Sequence, residues 1–113
     1  MAKSRAGDLI HGTLDMLVLK TVSRKEMHGY AIALAIESRS DDVLRVEEGS
    51  LYPALQRLLK AKLVRAEWTL SATNRRVRTY SITAAGLRHL EKEIASFERM
   101  FQGISLVLDP EQA

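Results

Sequence analysis

The spacing of apolar residues changes period twice along the chain, and that change decides what it can fold into. From Leu14 onward, Leu14, Leu17, Val18 and Val22 follow the i, i+3, i+4 rhythm of one helix face. After the polar stretch Ser23–Glu26, Gly29, Ile32, Ala33 and Ile36 repeat that stripe in a second helix, which fades into Ser38–Asp42. Val43–Val46 is expected to be a short extended piece, and Glu47-Glu48-Gly49-Ser50 a turn into a third helix with Leu51, Leu55, Leu58 and Leu59 inward. Pro53 suits that helix if it begins near Gly49 or Ser50, because a proline in the first turn costs no hydrogen bond.

At Val64 the period drops to two. Val64, Ala66, Trp68 and Leu70 alternate with Arg65, Glu67 and Thr69, which predicts a half-buried strand. Ser71–Asn74 is a loop of turn formers, and Arg78, Tyr80 and Ile82 alternate with Thr79 and Ser81 in a return strand. Trp68 and Tyr80 are expected in the core of this hairpin. Helical spacing then resumes behind Thr83, a good N-cap. Leu87, Leu90, Ile94, Phe97, Phe101, Ile104 and Leu108 fall at alternating steps of three and four, a heptad seam that Asp109-Pro110 ends. So narrow a seam at the end of a small domain predicts pairing with a second chain.

Three helices, a hairpin and a final helix define a mainly α (α+β) winged helix-turn-helix. Residues 1–83 are expected to be the DNA-binding domain and residues 84–108 a C-terminal dimerisation helix. The 113 residues leave room for one core, and with only six aromatics that core must be aliphatic. There is no cysteine, which excludes disulfide scaffolds, thiolate metal sites and cysteine nucleophiles. The longest apolar runs, such as Ala31–Ile36, fall far short of the roughly 20 residues that cross a bilayer. Lys3 and Arg5 lead to Gly7 and Asp8 rather than to an apolar stretch, so no signal peptide is expected and the location inferred is cytoplasmic. His11, His28 and His89 are not at metal-ligand spacing, and no phosphate-cradling glycine loop occurs. His28, just before Gly29, is expected to cap the second helix. Neither an enzyme nor a cofactor is expected.

The net charge of +3 conceals a partition. Residues 1–56 sum to −1 and residues 81–113 to −2, whereas residues 57–80 carry seven basic side chains against Glu67 alone. A basic window bounded by acidic flanks is the footprint that a phosphate backbone selects. In a winged helix-turn-helix the third helix enters the major groove and the hairpin lies on the backbone or in the minor groove. Its exposed face would present Ser50, Tyr52, Gln56, Arg57 and Lys60. Gln reads adenine and Arg guanine, while Ser, Tyr and Lys suit phosphates. Helix-end amides near Gly49 also favour a phosphate, and Arg75 and Arg76 at the wing suit phosphate or a narrow minor groove. A winged helix used for protein interaction, without DNA binding, is the alternative.

With these residues in view, the chain resembles the PadR family of bacterial transcriptional regulators, its short-tailed members in particular. The resemblance runs from about Gly12 to Phe101. Gly12-Thr13-Leu14-Asp15 opens the first helix, Met27-His28-Gly29-Tyr30 the second, Gly49-Ser50-Leu51-Tyr52-Pro53-Ala54-Leu55 the third and Thr83-Ala84-Ala85-Gly86 the last; Glu67-Trp68 through Asn74-Arg75-Arg76 looks like the wing of one subgroup. The resemblance implies a homodimer on palindromic double-stranded operator DNA, usually repressing. It assigns Ser50, Tyr52, Pro53, Gln56, Arg57 and Lys60 to the recognition helix, and Asn74, Arg75, Arg76 and Arg78 to the wing. Leu87, Leu90, Ile94, Phe97, Phe101 and Ile104 fall to the dimer seam. Some members bind a small hydrophobic effector at the dimer centre; Phe97 and Phe101 suit such a cavity and the seam equally well. Lys62 stands where the family commonly has glycine, implying a less tight exit from the third helix, and Thr79 replaces a frequent aromatic or basic residue.

Overall fold

The computed structural model describes residues 12–112; His11 and the N-terminal residues Lys3–Asp8 lie outside the described residues. The order is α1 (Thr13–Arg24), β1 (Met27–His28), α2 (Gly29–Arg39), α3 (Glu48–Lys60), β2 (Val64–Leu70), β3 (Arg76–Ile82) and α4 (Ala84–Leu108), then a short 3-10 turn at Pro110–Gln112. This is the expected α+β winged-helix arrangement, with one addition. Met27 and His28 pair antiparallel with Tyr80 and Thr79, so the sheet has three strands in the order β1-β3-β2.

Helix α1 is the central element, packed on α2, α3, α4 and β3. Its Val18 and Leu19 meet Ile32 of α2 and Leu51 and Leu55 of α3 in an aliphatic core. His28 caps α2 as expected: its Nδ1 accepts the Ala31 N–H at 3.3 Å. Residues 43–46 do not form a strand. They form a loop after Asp41 and Asp42, both left-handed (φ 53° and 64°), pinned where Glu37 Oε2 accepts the Val46 N–H at 2.8 Å.

Helix α3 starts earlier than expected. The Glu47 carbonyl accepts the N–H groups of both Ser50 and Leu51 at 2.9 Å, so Glu48 is already helical and Pro53 falls in the second turn. Proline cannot donate to the Gly49 carbonyl four residues back, a cost that solvent lowers because Gly49 is exposed.

The exit from α3 is tight despite Lys62. Leu63 N–H bonds to the Leu58 carbonyl (2.9 Å) and Lys62 N–H to that of Leu59 (3.0 Å), a Schellman closure with Lys62 left-handed at φ 63°. The geometry that favours glycine is therefore present, and lysine adopts it under strain. The chain turns straight into β2, whose residues pair with β3 from Val64↔Ile82 to Leu70↔Arg76. Only the base of the hairpin is buried. Tyr80 is 4% exposed, but Trp68 and Leu70 are 57% and 65% exposed, because the outer half of the wing projects beyond the helices that would cover it. Trp68 is thus not hairpin core. Thr79 uses its departure from the family pattern for a cross-strand bond, Thr69 Oγ1 to Thr79 Oγ1, 2.7 Å.

The hairpin returns to its starting point. Thr83 N–H donates to the Leu63 carbonyl (3.0 Å), its Oγ1 donates to the neighbouring Lys62 carbonyl (2.8 Å, with the Leu63 oxygen at 3.1 Å), and the same Oγ1 accepts the Gly86 N–H at 2.9 Å. Gly86 lies so close that a Cβ there would sit 2.1 Å from the Leu63 oxygen and 2.7 Å from Ile82 Cγ1. Gly86→Ala should therefore destabilise the chain by about 1–3 kcal/mol or more in urea unfolding. Lys62→Gly should act oppositely, raising stability by up to about 1 kcal/mol through relief of the left-handed strain.

Candidate nucleic-acid interface

Buried Leu51, Ala54, Leu55 and Leu58 turn one side of α3 inward. At 3.6 residues per turn, Gly49, Pro53, Gln56 and Lys60 then line the centre of the outward stripe, with Ser50 and Arg57 on one flank and Tyr52 on the other. All seven are exposed, as expected. Gln56 and Lys60 have no side-chain partner among the described residues. Arg57 does: its Nη2 and Nε donate to the two carboxylate oxygens of Asp15 at 2.7 and 3.2 Å. That hydrogen bonding holds the guanidinium above its already high pKa. To read a base, Arg57 must leave a bidentate partner that belongs to α1.

Tyr52 lies against Gly29 at the start of α2. A Cβ on Gly29 would come within 3.1 Å of the ring, so the glycine makes room for the tyrosine. Glu47 and Glu48 stand at the N-terminus of α3, where their charge opposes the anion that the helix-end amides would attract. A phosphate site near Gly49 is not favoured there.

The wing tip is closed by its own hydrogen bonds. Ser71 N–H donates to the Arg75 carbonyl (2.8 Å), Asn74 N–H to the Ser71 carbonyl (2.9 Å), and Ser71 Oγ accepts the Arg75 N–H (3.2 Å). Asn74 takes the left-handed turn position at φ 66°, which asparagine tolerates. Arg75 and Arg76 are consequently exposed on a defined loop, and Arg78 is half-buried beside them. Arg76 and Arg78 place their guanidinium carbons 4.7 and 5.6 Å from the centre of the Trp68 ring. Between wing and helices runs a groove of about 620 Å³ lined by Tyr30, Tyr52, Trp68 and Tyr80 together with all three arginines. Burial pushes the Tyr80 phenol up, with the Arg78 charge pulling the other way.

Sequence reasoning singled out Arg75, Arg76 and Tyr52 but missed Tyr30, which is 57% exposed on the same groove. Its neighbours His28 and Gly29 were visible as a motif; which face Tyr30 took depended on how α2 crosses α3. The described residues hold no group of three or more His, Asp or Glu able to bind a metal. His28 is engaged as a cap, and His89 lies 3.7 Å from Glu93 one turn along α4.

The seam residues of α4 divide. Leu90 is 4% exposed and belongs to the protomer's own core, with Ile94 packed against it. Leu90 therefore packs inside the chain itself rather than along an open face. Leu87, Phe97, Phe101 and Ile104 remain exposed along with Met100 and Leu108. Phe97 and Phe101 stack with ring centres 6.3 Å apart. A shallow cleft of about 310 Å³ lies where Thr13 and Met16 of α1 meet Phe97 and Met100. None of the described helices is long and apolar enough to cross a membrane.

An outward recognition stripe on α3 beside a basic wing defines a winged-helix DNA-binding protein. The chain belongs to the transcriptional regulator PadR-like family, whose model matches residues 18–92. Among solved structures it is similar to a transcriptional regulator from Clostridium thermocellum, 25% identical with a TM-score of 0.78 over 85% of this chain and 93% of that one. A PadR family transcriptional regulator from Eggerthella lenta is 31% identical, with a TM-score of 0.72 over 88% of this chain and 84% of that one. A protein in transposon TN4556 of Streptomyces fradiae is 42% identical over 75% of this chain, which spans only 23% of that longer protein. The chain is thus a DNA-binding transcriptional regulator and not an enzyme.

The Asp15–Arg57 pair joins α1 to α3 on a partly solvated surface, the two side chains being 26% and 50% exposed. A double-mutant cycle with Asp15→Asn and Arg57→Leu should give a coupling below about 1 kcal/mol in thermal unfolding.

Proposed function

We propose that the chain acts as a homodimer that binds a palindromic operator in double-stranded DNA and represses transcription in the cytoplasm. The observation that carries this reading is the basic, aromatic wing lying beside the outward stripe of α3. Two such units on one duplex face reach successive major grooves about 34 Å apart. Gln56 stands where a base edge would be read. Lys60, Ser50 and Tyr52, with Pro53 shaping the stripe, anchor the helix to the backbone. Asn74, Arg75, Arg76 and Arg78 hold the wing to phosphates or to a narrow minor groove. Arg57 joins the base readers only by exchanging Asp15 for DNA.

The exposed stripe of Leu87, Phe97, Phe101 and Ile104 supports the homodimer, since so continuous an apolar face is costly to leave in water. A small hydrophobic effector would suit the stacked Phe97 and Phe101 beside the cleft on α1; its volume lies at the low end of ligand sites. A winged helix serving only protein interaction would not call for three arginines on one wing.

Three measurements test this function. Selection of duplexes from a random pool should recover an inverted repeat; recovery of no site at low salt would overturn the reading. Arg75→Ala with Arg76→Ala should weaken binding to all sequences and flatten the logarithmic salt dependence by about one to two, whereas Gln56→Ala should alter sequence preference at about 1–3 kcal/mol. Phe101→Asp with Ile104→Asp should sediment as a monomer, and a surviving dimer would place the seam elsewhere.

A further inference from the structure

Trp68 is the only tryptophan of the chain, and it stands on the surface of the wing. No core purpose accounts for it there. Its surroundings suggest another role. Cross-strand pairing sets Arg78 directly opposite Trp68, and the two-residue period puts Arg76 next along β3 on the same face. The two guanidiniums gather around the one ring, at 5.6 and 4.7 Å from its centre. Among the described residues neither arginine forms an ion pair, and the buried Nε of Arg78 has no hydrogen-bond partner. Two like charges held together repel each other, and the electron-rich indole face offsets part of that repulsion. An anion between them would offset the rest.

A free arginine must also give up rotamer freedom when it engages a phosphate. An arginine already stacked on an aromatic face has given up much of it beforehand, so binding costs less. We infer that Trp68 is a positioning residue for the DNA backbone: its indole holds the Arg76 and Arg78 guanidiniums in the arrangement that receives phosphate. This rests on the DNA-binding reading above. Trp68 itself contributes no charge and makes no base contact in this role.

The test uses the full chain and a mixed-sequence duplex titrated at several salt concentrations. Trp68→Leu keeps apolar bulk but removes the π face, whereas Trp68→Phe keeps a smaller one. The Leu variant should bind about fivefold to tenfold more weakly and the Phe variant about twofold to threefold. Both should keep the salt slope of the unmodified chain, since no cation is lost, while Arg76→Ala should lower it by about one. In the free protein, nitrogen relaxation of the arginine Nε groups should show Arg76 and Arg78 becoming more mobile in Trp68→Leu. Unchanged Nε mobility, a Leu variant that binds as tightly as the original, or a Phe variant no better than Leu would each overturn the assignment. If the original chain binds no duplex, it is the DNA-binding reading that fails; the Nε measurement without DNA still decides whether Trp68 orders the two arginines.

Discussion

One carbonyl, that of Leu63, organises the regulator. It is where α3 has just ended, where β2 begins and where Thr83 brings the hairpin back. Thr83 meets it with its backbone N–H, while its hydroxyl is shared between this carbonyl and that of Lys62 and also caps α4 through Gly86. The absence of a side chain at Gly86 lets α4 start in van der Waals contact with this turn. Four element ends are thereby fixed within one hydrogen-bond cluster. The same cluster ties the wing to α3 and α4 to both. The proposed presentation of a helix and a hairpin to one duplex draws on that geometry.

Charge is distributed to match. The wing carries Arg75 on a loop closed by Ser71 and Asn74, and Arg76 and Arg78 on the strand that follows it. The exception is Arg57, which faces the recognition surface yet is held by Asp15 of α1. Since α1 also packs on α4, this surface pair links the recognition helix to the element on which the dimer reading rests. Glu47 and Glu48 oppose an anion at the start of α3, so the proposed phosphate contacts rest chiefly on the basic wing.

Much of this was legible beforehand, for reasons that particular residues make clear. The helices were visible because Leu14, Val18, Ile32, Leu51 and Leu55 sit at helical spacing and all turned out to be core. His28 as a cap and Thr83 as a cap follow from local chemistry, which needs only the neighbouring residues. What failed were inferences that needed something distant. Alternation alone placed Trp68 inside, but no helix reaches far enough to cover the outer hairpin. Leu90 fitted the heptad seam, yet it is buried in the chain's own core. The β1 pairing with β3 involves two residues, too few to show any period. Pro53 suggested a start at Gly49 or Ser50, whereas the Glu47 carbonyl begins the helix one or two residues earlier, at Glu48.

The amino-acid sequence alone therefore determined the four main helices and the hairpin in their order, the winged-helix class and the basic window from Arg57 to Arg78, because period, capping and charge are local properties. Even the left-handed Lys62 is a local consequence: a Schellman closure demands that conformation from whichever residue occupies the position. Tertiary structure alone decided the contacts between elements and which expected core positions stay open to solvent. It paired Arg57 with Asp15, seated Tyr52 on Gly29, exposed Trp68 beneath two arginines and divided the α4 stripe between its own core and an open surface. Those outcomes depend on distances between residues far apart in the chain, and no spacing along it encodes them directly.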